Sequence, residues 1–241
     1  MMKIDLSEKP QRVTIIDGFP GFGFVSTIAS EYLIDHLKTR QIGRIWAPGL
    51  APMAIVHGKR VIPPIDILYD DKHHIVLLEA ISGINGMEWD IAEALIFLYK
   101  KLNAKEIISI EGIGSEEETE EPNTYYFSND DTKAKMMQSI GASQLKEGII
   151  LGVSGALLTK LSKEIKATFI FAETHSKMPD NRAAAKILEL LDKYLGLDVD
   201  YKPLLQRAGE MEDKIKELLT QAKEATEMQR QKGGDTTPYI G

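Results

Sequence analysis

The sequence predicts an α/β fold, a three-layer αβα sandwich whose central sheet is largely parallel with mixed edges. Three observations predict it. Strand-like apolar runs recur along the chain, each followed by a glycine-bearing turn and then by a segment of helical periodicity. One run is apolar on consecutive positions rather than alternate ones, as a strand covered on both faces would be. Prolines crowd into one early stretch, which suits edge strands. A C-terminal amphipathic heptad helix and a flexible tail follow this core.

The first strand spans residues 12–17, Arg-Val-Thr-Ile-Ile-Asp. It runs into Gly18-Phe19-Pro20-Gly21-Phe22-Gly23 and a helix over residues 24–39. Val25, Ile28, Ala29, Tyr32, Leu33 and Leu37 give that helix a core-facing stripe. Residues 42–67, broken by Pro48, Pro52, Pro63 and Pro64, read as short strands of mixed direction at a sheet edge. Residues 74–81 form a continuous apolar strand with Glu79 near its end. Gly83-Ile84-Asn85-Gly86 then turns the chain into a helix over residues 87–102.

The unit repeats. Residues 107–110 are a strand ending at Glu111-Gly112-Ile113-Gly114, and residues 149–151 are expected to be another. That second one ends at Gly152-Val153-Ser154-Gly155, before a helix to about residue 163. Residues 168–172 end at Glu173-Thr174-His175, before a helix over residues 180–195 that Gly196 closes. The acidic run 115–121 reads as a solvated loop. Tyr125, Tyr126 and Phe127 after it read as a short strand or an exposed contact patch.

The expected organisation is a core domain at residues 1–200, a helix at 201–232 and a flexible tail at 233–241. In the helix, Leu204, Ala208, Met211, Ile215, Leu218, Ala222 and Ala225 recur at spacings of four and three, a heptad seam. Over residues 204–232 such a stalk is roughly 43 Å long at about 1.5 Å per residue. Gly233-Gly234 then hinges a leash of up to ~30 Å. It ends in Pro238, Tyr239, Ile240 and Gly241, an aromatic and a branched apolar residue beside a terminal carboxylate, and such ends are captured in donor-rich pockets.

Composition narrows the function. A hydrophobic fraction of 43%, a charged fraction of 27% and a net charge of −7 describe an ordinary globular chain. The acidic balance argues against binding nucleic acid or anionic membrane. No run approaches the ~18 apolar residues of a membrane span, and the polar residues 1–12 do not read as a signal peptide. Zero cysteines exclude disulfides and thiolate chemistry and place the protein in the cytoplasm.

The residues that could carry chemistry each have two readings. The turn Gly18–Gly23 sits between a strand and a helix, where phosphate is often cradled. It has neither the Rossmann spacing nor a following lysine, and Phe19 and Phe22 occupy two intervening positions. Its glycines therefore also fit tight packing, with Phe19, Gly21, Phe22 and Gly23 forming a contact loop. Asp17, Glu79, Glu111 and Glu173 fall near strand ends, where ligands bind parallel sheets. Acids there also accept hydrogen bonds from the next turn. The five histidines show no metal-ligand spacing, and Ser154 lacks the setting of a nucleophile elbow. No catalytic residue, metal site or cofactor is assigned.

Taken together, Asp17-Gly-Phe-Pro-Gly-Phe-Gly-Phe-Val25, Gly83-Ile-Asn-Gly86, Ile110-Glu-Gly-Ile-Gly114 and Glu173-Thr-His-Ser-Lys-Met-Pro179 resemble the archaeal homologues of the proteasome assembly chaperones. The resemblance spans nearly the whole chain. It implies a core related to nucleoside phosphorylases, without established enzymatic activity, in a protein that self-associates. It further implies binding to the α-subunit ring of the proteasome core particle, where C-terminal tails assist assembly or open the gate without ATP. A second homologue is a further possible partner. In the tails of such proteins tyrosine is penultimate, whereas Tyr239 is third from the end, which displaces the carboxylate by about 3 Å. The alternative reading is an enzyme acting on a nucleoside-like or phosphorylated small molecule in the crevice beside Gly18–Gly23.

Overall fold

The computed structural model describes residues 2–50, 54–57, 60–80, 83–115, 121–175 and 178–206. The chain opens with β1 (Lys3–Leu6) and β2 (Thr14–Gly18), then a 3₁₀ turn (Phe22–Phe24) and α1 (Val25–Leu37). β3 (Arg40–Trp46), β4 (Ile55–His57), β5 (Arg60–Ile62), β6 (Ile65–Asp70) and β7 (Ile75–Ala80) follow. Next come α2 (Glu88–Lys101), β8 (Glu106–Gly114), β9 (Thr124–Ser128), α3 (Asp131–Ser139) and β10 (Ser143–Gln144). The core ends with α4 (Gly152–Lys160), β11 (Ala167–Thr174) and α5 (Asn181–Leu195).

Among the described residues one nine-stranded sheet runs in the order β1-β3-β6-β7-β2-β8-β11-β9-β10. Its centre, β7-β2-β8-β11, is parallel, with Asp17 opposite Leu78 on one side and Ser109 on the other. β6, β3 and β1 continue antiparallel on one flank, and β9 pairs antiparallel with β11 on the other. The proline-marked stretch therefore does build a mixed edge. β4 and β5 form a separate two-stranded hairpin.

Burial explains why the four central strands are parallel. In β7 every residue but Glu79 is buried, and in β2 every residue but Thr14 is. Strands so covered need helices on both faces, and the crossovers supply them. On one face α2 and α4 close over Ile15, Val76, Leu78, Ile107, Phe169 and Phe171. On the other α1, α3 and α5 close over Ile16, Leu77, Ile108, Ile110 and Ile170.

Two expectations are corrected. Residues 149–151 are not a strand: Ile149 is 90% and Leu151 73% exposed, and of the three Ile150 alone packs against the core. The outermost strand on that flank is instead the two-residue β10, paired with β9. Phe19, expected in an exposed contact loop, is buried in the α2–α4 core, and Phe24 is the exposed phenylalanine of that turn.

The boundary between core and C-terminal helix is tighter than the heptad pattern implies. Residues 202–206 are helical, and Leu204 is buried in the α1–α5 layer of its own domain. Ala208, Met211, Ile215, Leu218, Ala222 and the tail 233–241 lie outside the described residues.

Candidate functional site

The C-terminal ends of the parallel strands bring two of the four strand-end acids together. Side chains alternate along a strand, so Asp17 on β2 and Ser109 and Glu111 on β8 all point to the α2–α4 face. Ser109 donates to Asp17 Oδ1 at 2.9 Å, and its Oγ lies 3.0 Å from the Oγ of Ser154, in the first turn of α4. Ser154 in turn favours the ionised form of the neighbouring Glu111. Three polar side chains from three elements, Asp17, Ser109 and Ser154, thus form one buried hydrogen-bonded chain, with Glu111 beside it.

The glycine turn is what lets the chain close. A Cβ on Gly21 would lie 3.4 Å from Glu111 Oε1, and one on Gly152 would lie 3.5 Å from the same oxygen. The Glu111 carboxyl therefore enters between two glycines, and Gly152 also holds a left-handed φ of 68°. Gly112 lets the turn seat itself, since a Cβ there would come within 2.2 Å of the Phe22 carbonyl. The turn is pinned further by Ser26, which donates to the Phe19 carbonyl, and by the Asp180 N–H, which donates to the Gly23 carbonyl at 2.9 Å. These contacts use the glycines for close packing.

Burial dominates the electrostatics. Desolvation pushes Asp17 up to about 8, opposed by the Ser109 hydrogen bond and reinforced by the negative charge of Glu111. Glu111 is pushed up to about 7 by burial, opposed by Ser154. Asp17 Oδ2 and Glu111 Oε2 are buried without a hydrogen-bond partner among the described residues.

The other two acids are elsewhere. Glu79, on β7, alternates to the α1–α5 face, although it sits opposite Gly18 in register. Glu173 accepts from Asn123 Nδ2 at 2.7 Å and from the Tyr125 hydroxyl at 2.9 Å, which joins β11 to the β9 edge. Phe22 and Gly21 are partly buried, and Gly23 is buried against Thr174. Among the described residues no group of three or more His, Cys, Asp or Glu is placed to hold a metal.

The same end of the sheet carries exposed apolar side chains. Phe24 follows the glycine turn, Ile149 and Leu151 precede α4, and Met178 precedes α5. Ile55, Val56 and Val61 on the β4–β5 hairpin are exposed as well. Large apolar groups left in water are a mark of surfaces that meet other proteins.

A second buried polar cluster, at the opposite end of β8, went unnoticed in the sequence. Glu106 is 1% exposed and binds Lys133 Nζ at 3.0 Å, the Tyr194 hydroxyl and the Thr168 hydroxyl. Its members lie 27, 62 and 88 positions from Glu106, beyond the reach of local patterning. With its oxygens occupied from three elements, it ties α3, α5 and β11 to the sheet.

Comparison with known proteins agrees with this architecture. The model of the PAC2 family matches residues 15–219, and the chain belongs to that family. PbaA of Pyrococcus furiosus, an archaeal homolog of proteasome-assembly chaperone, is similar over 95% of this chain and 97% of its own, with 30% identity and a TM-score of 0.81. PbaB of the same organism, an archaeal proteasome activator, shares the fold at a TM-score of 0.76 and 21% identity, over 90% of this chain and 98% of its own. An uncharacterized protein of Methanocaldococcus jannaschii is 28% identical over 214 residues, 86% of this chain and 85% of that protein. Among the described residues no helix is long and apolar enough to cross a membrane.

Proposed function

We propose that this protein is a non-enzymatic, homo-oligomeric chaperone or adaptor of the proteasome core particle. The observation that carries the reading is the 30% identity to PbaA across nearly the whole of both chains. Local features support it. The glycine turn is spent on packing, and the sheet end above it offers Phe24, Ile149, Leu151 and Met178 to a protein surface. In this reading residues 238–241 dock on the α-subunit ring and assist assembly or activate the particle without ATP. Several tails on one oligomer gain avidity for a ring of repeated pockets, while each tail alone binds weakly because ordering it costs free energy.

The test compares full-length protein with a variant lacking residues 238–241 for affinity to purified core particle. At least a tenfold weaker affinity without the tail is expected, about 1.4 kcal/mol. Equal affinity removes the tail from the mechanism while leaving a docking role for the core domain. The alternative of a small-molecule enzyme draws less support, since Asp17 is fully buried, Glu79 turns to the opposite face and Glu173 is engaged by Asn123 and Tyr125.

A further inference from the structure

One flank of the sheet ends on β1, whose pairing leaves its outer edge open. Ser7 donates its N–H to the Ile42 carbonyl at 2.9 Å, and the antiparallel register then sets Leu6 opposite Gly43, Asp5 opposite Arg44 and Ile4 opposite Ile45. Hydrogen bonding alternates along such a pair, so Asp5 and Ser7 turn their backbone groups toward β3. Ile4 and Leu6 turn theirs outward, where no described strand meets them. Their side chains pack against the α2–α4 core, which holds the outward groups in a fixed row. The other end of the sheet has no equivalent, because β10 is only two residues long.

Cations gather along this edge. A cleft of about 450 Å³ is lined by Ile4, Leu6, Lys9, Arg44 and Lys101, with Asp5 as its one acid. Gln11 donates its side-chain N–H to the carbonyls of Lys9 at 3.1 Å and Lys101 at 3.5 Å, which ties the segment after β1 to the end of α2. Arg44 engages Asp5 at 3.4 Å, and the nearby Glu8 is taken up by Arg40. Lys9 and Lys101 are exposed and form no ion pair among the described residues. A chain of net charge −7 thus carries a local excess of positive charge beside its open strand.

We propose that this edge takes up an extended acidic peptide, which pairs with Ile4 and Leu6 as an added strand while its carboxylates meet Lys9, Arg44 and Lys101. In strand addition the main-chain bonds supply affinity and the side chains supply selectivity. Successive side chains of an added strand point to opposite faces, and the cleft has a cation on each. Arg44 shares the face of Asp5, while Lys101 belongs to α2, on the face where Ile4 and Leu6 pack. A second copy of β1 is disfavoured by the same charge, since edge-to-edge pairing would bring two sets of these cations together. The outward row at Ile4 and Leu6 separates a peptide from a small anion, which would use the cations alone.

The experiment measures binding of a dye-labelled Glu-Thr-Glu-Thr-Glu-Thr peptide to the full-length protein by fluorescence anisotropy, with amide exchange read residue by residue. The peptide should bind saturably, and more weakly as salt rises. A Lys-Thr peptide of equal length should not bind. A Glu-Thr analogue N-methylated throughout keeps its charge but has no N–H to donate, and should bind about tenfold more weakly. Lys9→Glu should weaken binding roughly fivefold, whereas Lys146→Glu, the same charge change just after β10, should leave it unchanged. On binding, the amides of Ile4 and Leu6 should gain protection while those of Asp5 and Ser7, already turned to β3, change little. No saturable binding, equal binding of the N-methylated analogue, equal loss in Lys9→Glu and Lys146→Glu, or unprotected Ile4 and Leu6 amides would each overturn the proposal. Full displacement of the peptide by inorganic phosphate at matched ionic strength would overturn it too, by making the cleft a small-anion site.

Discussion

Tyr194 of α5 donates its hydroxyl to the carboxylate of Glu106 on β8, 2.9 Å from each oxygen, and Lys133 of α3 lies over the Tyr194 ring at 5.1 Å. Burial and the Glu106 charge together push the Tyr194 hydroxyl up, so it remains a donor at any ordinary pH. Tyr194→Phe removes one bond from a carboxylate that keeps Lys133 and Thr168, and should cost about 1–2 kcal/mol in denaturant unfolding. Lys133→Met strips the buried carboxylate of its counter-ion and should cost more, about 2–3 kcal/mol. That figure falls below the fully buried case because Lys133 keeps 31% of its side chain exposed. A near-neutral effect of Lys133→Met would contradict the counter-ion role of Lys133.

Gly112→Ala should be among the most damaging single-methyl additions. The new Cβ would meet the Phe22 carbonyl at 2.2 Å and the Val25 side chain at 2.8 Å, and a backbone neighbour cannot step aside as a flexible side chain can. Overpacking of this kind costs about 1–3 kcal/mol. Gly83→Ala meets nothing within 4 Å and serves as the control. Equal unfolding midpoints for the two variants would contradict the close seating of the turn.

Asp180 caps α5, accepting from the N–H groups of Arg182 and Ala183 at 3.0 and 2.9 Å. Asp180→Ala should lower stability by about 1 kcal/mol. In a chain of this size that moves the thermal midpoint down by about 2–4 °C. Asp180→Asn, which keeps an accepting oxygen, should recover most of the loss.

The pair at the sheet end gives stability an unusual pH slope. Unfolded carboxyls titrate near 4, whereas Glu111 and Asp17 do so at about 7 and about 8 in the native protein. Between those limits the native state binds more protons than the unfolded state, so raising the pH disfavours it. Their contribution is fully present below about 4, is lost as pH rises through about 7 to 8, and is constant above. The double variant Asp17→Asn/Glu111→Gln should therefore lose less stability than the native chain between about pH 5 and about pH 8.5. Parallel curves would show that these carboxyls titrate normally.

The sequence was most legible where burial is two-sided. The apolar run in β7 announces itself because both its faces are covered, and the stripe of α1 because one face is buried while Glu31 and Asp35 opposite it are exposed. β1 was missed because Lys3–Leu6 is an edge strand with no fully buried residue. α3 was missed because Met137 is its one buried residue, which leaves almost no periodic signal. Residues 149–151 misled for the converse reason: apolar composition does not reveal whether a neighbour covers it. Of the strand-end acids, side-chain alternation alone separates Glu79 from the others. Ser109 and Ser154, which meet beside Asp17, are 45 positions apart, a juxtaposition that local patterning does not contain.

The account stands most directly on whether the purified protein engages the proteasome core particle. Co-sedimentation of full-length chain with core particle, without nucleotide, should move the smaller protein into the particle's fraction in proportion to particle added. A chain that sediments alone at every particle concentration would contradict the chaperone assignment.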